Sequence, residues 1–128
     1  MSVGILLITH NNIGNVLLET ALTNLHREDK PALAIPISFD CDPEQSLSDC
    51  QQVLEDASQG DGVLVLTDMF GATPSNIAHR LSDGSEVKVV AGLNLPMLMR
   101  VLNYADQSLE VLVEKAISGG REGVVCAA

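Results

Sequence analysis

The sequence predicts an α/β fold in one domain, 1–128: an open, mostly parallel sheet in three layers, with helices on both faces. Three observations predict it. Short apolar runs rich in β-branched residues alternate with segments whose apolar positions recur at helical spacing. Two of the runs, "VGILLI" (3–8) and "GVLVLT" (62–67), are continuous enough to suit strands covered on both faces. The length of 128 residues and the 46% hydrophobic content suit a single domain with a substantial core.

The elements follow in chain order. Strand 3–8 leads to a helix through Ile13, Val16, Leu17, Ala21, Leu22 and Leu25, with Asn12 placed to cap it. "ALAIPI" (32–37) is a shorter strand whose Pro36 suits an edge. Pro43 and nearby acids start a helix with Leu47, Cys50, Val53, Leu54 and Ala57 on its apolar face, and Gly60 terminates it. After strand 62–67, "DMFGATPSN" places Pro74 in the first turn of a third helix, behind a Thr73 cap. "EVKVVAG" (86–92) is the fourth strand, and "NLPMLMRVLN" a short helix with Pro96 in its first turn. A last helix starts at Asp106 or Ser108, has Leu109, Leu112, Val113, Ala116 and Ile117 as its apolar positions, and ends at Gly119-Gly120. "REGVVCAA" then reads as a short final strand.

The core is aliphatic, since Phe39, Phe70 and Tyr104 are the only aromatic residues. The net charge is −10, from 17 acidic and 7 basic residues. That field disfavours nucleic acid and anionic membrane surfaces and favours a basic protein partner. No run reaches the roughly 18 apolar residues of a membrane helix, and no signal peptide starts the chain. Cys41, Cys50 and Cys126 are widely spaced, with no CxxC pair and no zinc pattern. They read as structural thiols in a reducing, cytoplasmic compartment. Neither GxGxxG nor a P-loop follows the first strand, and a receiver's acidic pair is replaced by His10, Asn11 and Asn12.

In such sheets, ligands bind beyond the carboxyl ends of the strands. That edge gathers His10, then 68–73, then 94–97. A histidine there serves as base, metal ligand or nucleophile, or only hydrogen-bonds the backbone. Asp68, on the same edge, suits a carboxylate that fixes one ring N–H and leaves the other nitrogen outward; it equally suits an Asx-turn or a cap. Thr73 and Ser75 at a helix start, and Asn94 at another, suit a phosphoryl group held by hydroxyls and N–H groups. Either start also reads as a plain strand-to-helix turn. His26 and His79 fall late in helices and read as surface or C-terminal residues. Met97 and Met99 read as packing; Met69 and Phe70 read as packing or an exposed apolar lip.

Three stretches together, "LLITH", "VLVLTDMFGATPSNIA" and "VVAGLNLPMLMRVL", resemble the IIA domain of the mannose family of the phosphoenolpyruvate-dependent sugar phosphotransferase system, over nearly the whole chain. The resemblance implies a mostly parallel sheet with one antiparallel strand from the C-terminal region. It implies a phosphocarrier in which His10 is phosphorylated at Nε2 by the phosphocarrier protein HPr. Asp68 then orients the ring and stabilises its charge. The implied phosphoryl-binding set is Thr9, Gly71, Ala72, Thr73, Ser75 and Asn94, with no metal and no cofactor. A IIB-type acceptor acting in trans and a homodimer joined through the C-terminal region are implied as well. Thr9 stands where relatives usually carry serine and keeps the hydroxyl. Asn11 stands for a glycine and is the residue that best replaces it in a left-handed turn. Ala72 replaces the second glycine of a pair and adds a methyl group near the phosphoryl site. Two other readings share the sequence: a regulatory module read by its phosphorylation state, and the phosphotransfer subunit of a dihydroxyacetone kinase.

Overall fold

The computed structural model describes residues 2–29, 31–82 and 86–128. The chain runs β1 (Gly4–His10), α1 (Ile13–Asn24), β2 (Leu33–Ile37), α2 (Pro43–Ala57), β3 (Val63–Thr67), α3 (Thr73–Leu81), β4 (Val87–Ala91), α4 (Leu95–Asn103) and α5 (Leu109–Glu122). The four strands form one sheet in the order β2-β1-β3-β4, and every pairing is parallel.

Alternation along the strands builds two cores. Ile5 and Leu7 of β1, with Leu64 and Leu66 of β3, pack on one face against α1, α4 and α5. Leu6 and Ile8, with Val63 and Val65, pack on the other against α2 and α3. Both strands are covered on both sides, which is why they contain no polar position before Thr9 and Thr67. Burying one such aliphatic side chain contributes about 1.5–3 kcal/mol.

The order 2-1-3-4 has a switch point. From β1 the chain moves outward to β2, then crosses back to β3 on the other side of β1. The loops leaving β1 and β3 therefore diverge to opposite faces and open a crevice at their carboxyl ends. β2 is an edge strand and carries Pro36 opposite Thr9. Asn11 N–H donates to the Ile37 carbonyl (2.9 Å), so Ile37 faces β1 and the alternation turns Pro36 outward.

Four sequence expectations are corrected. The final strand, and with it the antiparallel strand, is not formed. Instead α5 runs on through Arg121 and Glu122, and 124–128 pair with no strand among the described residues. The Gly119-Gly120 pair does not end the helix, because these glycines admit α4. A Cβ on Gly119 would lie 2.9 Å from Arg100 Cβ, and one on Gly120 would lie 2.8 Å from Met97 Cε. Asn12 occupies the N-cap of α1 but makes no side-chain cap bond; Thr9 Oγ1 accepts the Gly14 N–H instead (2.8 Å). Thr73 is the first residue of α3, and the cap position falls to Ala72, which has no side-chain acceptor. Ser108 and Asn94 do cap, accepting from Val111 N–H and Met97 N–H. Cys50 is buried in the α2 core as expected, whereas Cys126 is exposed in the tail.

Candidate functional site

β1 carries His10 to the mouth of the crevice as its last residue, and Asp68 follows directly on the last residue of β3. The two side chains meet. His10 Nδ1 lies 2.8 Å from Asp68 Oδ2, and the same oxygen accepts the His10 backbone N–H at 3.2 Å. A carboxylate oxygen only accepts, so Nδ1 bears the proton when the ring is neutral and the Nε2 lone pair points away from Asp68. The side chains are 36% and 12% exposed for His10 and Asp68, so the ring reaches solvent while the carboxylate behind it is largely enclosed.

The turn after His10 is held in an unusual shape. Asn11 has φ +46°, the left-handed region that its short amide side chain tolerates. Thr9, only 1% exposed, points to the opposite face from His10; its hydroxyl accepts Gly14 N–H and lies 3.3 Å from the His10 carbonyl. Thr9 is thus a brace for the β1–α1 junction, with its oxygen already engaged.

The β3–α3 loop passes beside the pair. Gly71 has φ +86° with open space where a side chain would stand, and its carbonyl accepts from Asn76 Nδ2 (3.4 Å). Ala72 N–H closes a turn onto the Met69 carbonyl (3.4 Å). α3 then starts without a side-chain cap, so the N–H groups of Thr73 and Ser75 remain without an intrahelical partner and Pro74 has none to satisfy. Such a helix start suits an anion. Ser75 itself is buried.

Asn94 is not brought to His10. It lies beyond β4, on the far side of β3, and both ends of its amide are engaged: Oδ1 accepts Met97 N–H (2.9 Å) and Nδ2 donates to the Gly120 carbonyl (3.1 Å). It ties α4 to α5. The sequence reading also passed over two features. Phe39, in the loop after β2, is fully exposed on the same sheet edge as the exposed Phe70, Met69, Ile13 and Val16. Thr67 is fully buried beside the pair; its Oγ1 and Asp68 Oδ1 are buried oxygens with no hydrogen-bond partner among the described residues. An aromatic between the β2 run and the Pro43 helix start, in a chain with three aromatics, was the available signal for Phe39. A lone threonine closing an aliphatic strand was the signal for Thr67.

Among the described residues no cluster of His, Cys, Asp and Glu suits a metal ion, and no helix is long and apolar enough to cross a membrane. Burial pushes the Cys50 thiol up to about 11, with Asp49 adding to the effect.

Comparison with known proteins gives a consistent result. The EIIA-man family model, described as "PTS system fructose IIA component", matches residues 4–117. The PTS system mannose-specific EIIAB component of Escherichia coli (strain K12) is 44% identical over 66 residues, covering 49% of this chain and 20% of that protein. The PTS system fructose-specific EIIA component of Bacillus subtilis (strain 168) is 33% identical over 81 residues, covering 62% of this chain and 55% of the relative. The chain thus spans only part of the length of these curated relatives. Among solved structures, the EIIA component of the phosphotransferase system from Streptococcus agalactiae superposes with a TM-score of 0.84 at 26% identity, over 97% of this chain and 96% of that one. The mannose/sorbose-specific IIA subunit from Enterococcus faecalis gives a TM-score of 0.90 at 22% identity, over 100% and 96%, a likeness of fold.

Proposed function

The chain belongs to the EIIA-man family of phosphotransferase-system IIA components, and from that premise we propose that it is a histidine phosphocarrier. His10 accepts a phosphoryl group from phospho-HPr and passes it to a IIB-type protein. The observation that carries this reading is the 2.8 Å contact between His10 Nδ1 and Asp68 Oδ2, which turns Nε2 outward as the nucleophile.

The transfer follows from that geometry. The Nε2 lone pair attacks phosphorus, the P–N bond to the donor histidine breaks, and its electron pair returns to the donor ring. His10 keeps its proton on Nδ1 and gains positive charge as the new bond forms. Asp68 stabilises that charge from behind. In this reading the phosphoryl oxygens, which carry the negative charge throughout, are received by the uncapped start of α3, through the Thr73 and Ser75 N–H groups and the Thr73 hydroxyl. The group arrives already activated on nitrogen, so the step needs no nucleotide. Reversal of the same step delivers it to the acceptor. The net charge of −10 favours donors with cationic surfaces.

The same reading includes a homodimer in the cytoplasm. The outer side of β4 has no strand neighbour among the described residues. Beside it, Val89, Met97, Val113, Ile117 and Val124 line an open, largely apolar groove of about 450 Å³. The tail after α5 exposes Val124 and Val125. These surfaces suit the C-terminal region of a second copy.

The deciding experiment is phosphorylation of the purified chain with labelled phosphoenolpyruvate, Enzyme I and HPr, beside His10→Ala. Acid-labile, base-stable label on the unmodified chain alone supports the carrier. A folded chain that takes no label, or a His10→Ala variant that takes as much, defeats it.

A further inference from the structure

We infer that Thr67 is a positioning residue for His10: its hydroxyl, which makes no direct hydrogen bond to Asp68 Oδ1 in this structure, serves that oxygen across one bridging water and thereby fixes the carboxylate that fixes the ring. Its consequence for transfer rests on the carrier reading, whereas its geometry does not.

β3 reads VLVLT, and all five positions are buried. A buried hydroxyl without a partner destabilises a fold, and valine fills the same space without that cost. Thr67 is 0% exposed and its Oγ1 has no partner among the described residues. The adjoining Asp68 presents the complementary deficiency, since Oδ1 is buried, lacks a donor, and can only accept. One orphan has a proton to give and the other needs one.

The register puts Thr67 on the His10 face, and the contact of Asp68 with His10 brings the carboxylate to that strand end. Thr67 pairs with Ile8, so its side chain shares the face of Ile8 and, two residues on, of His10. Asp68 is held to His10 through Oδ2 alone, which accepts both the ring and the backbone N–H. A carboxylate fixed at one oxygen still swings about its Cβ–Cγ bond. A water that accepts from the Thr67 hydroxyl and donates to Oδ1 stops that swing. The ring is then held in the Nδ1–H tautomer, with Nε2 aimed at the incoming phosphorus.

The test measures the ring first and the transfer second. Nitrogen-15 NMR of His10 in the intact, unphosphorylated chain should show predominantly the Nδ1–H tautomer. Thr67→Val should raise the Nε2–H share, and Thr67→Ser should restore the original ratio. Thr67→Ala, which removes the hydroxyl without adding bulk, should behave as Thr67→Val and serves if the valine variant does not fold. Single-turnover transfer from phospho-HPr should fall by about tenfold in Thr67→Val and recover to within about threefold in Thr67→Ser. An unchanged tautomer ratio in a folded variant lacking the hydroxyl overturns the inference, as does a serine variant no better than valine. Absence of label on the unmodified chain would defeat the carrier reading, while the ring measurement would still decide this one.

Discussion

Replacing Asp68 by asparagine tests the charge rather than the shape of the site. The amide oxygen can take the place of Oδ2, 2.8 Å from His10 Nδ1, so a neutral hydrogen bond survives. What disappears is a full negative charge about 4 Å from the centre of a ring that becomes cationic. At an effective dielectric of about 20, apt for a carboxylate 12% exposed, that attraction is about 4 kcal/mol for a fully charged ring. With the ring about half charged at the transition state, the loss is about 2 kcal/mol, or about thirtyfold in rate. Rapid-quench measurement of single-turnover transfer from phospho-HPr at saturating donor isolates this step. Encounter between an acidic acceptor and its donor should weaken with salt, but a contact pair whose carboxylate is largely buried is screened little. The thirtyfold ratio should therefore persist from 50 mM to roughly 500 mM salt. A loss below about threefold, or one that vanishes as salt rises, would refute the assignment of Asp68 as the charge partner.

Thr9→Val leaves the buried Gly14 N–H without its acceptor and should cost about 1–3 kcal/mol in urea unfolding, while Thr9→Ser should cost much less. Cys50, its thiol raised to about 11 when folded against an ordinary value of 9.0, favours the folded state fully below pH 9. That contribution is lost as pH rises from 9 toward 11, so the urea midpoint should fall over this interval and Cys50→Ala should flatten the fall. A wild-type midpoint that stays level there would contradict a folded thiol held neutral by burial. Ile117→Arg, placed in the groove beside β4, should shift sedimentation from twice the 13.6 kDa chain mass to the single chain, with helical content retained.

The sheet and its helices were legible in the sequence because they rest on local signals; the residues alone left Asp68 open between a ring partner and a turn or cap, and the family resemblance carried its pairing with His10. Continuous aliphatic runs mark doubly covered strands, and parallel topology brings successive strand ends to one edge. Boundaries were harder where tertiary contact overrode local chemistry. Gly119 and Gly120 look like a helix end, yet they serve the approach of Arg100 and Met97 from α4. Asn94 has the chemistry of an anion ligand, but its amide is committed to Met97 and Gly120, which only the packing of α4 on α5 reveals. Thr9 was read as a phosphoryl contact beside His10, but strand alternation sends the two side chains to opposite faces. The last eight residues have the composition of a strand, but a strand also needs a neighbour, and this chain supplies none among the described residues.

Pro36 sets the valence of the sheet. Its ring replaces a donor on the outward side of β2, so that border cannot donate a full run of hydrogen bonds to another chain. β4, with no proline in Val87–Ala91, leaves the opposite border open. A tile with one joining side and one sealed side can meet only one other through its joining side. Two copies related by a twofold axis exhaust each other's capacity, and growth by sheet extension stops there. In the proposed homodimer, the residue that looked, in the sequence, like a mere mark of an edge would also disfavour growth from a closed pair to a fibre.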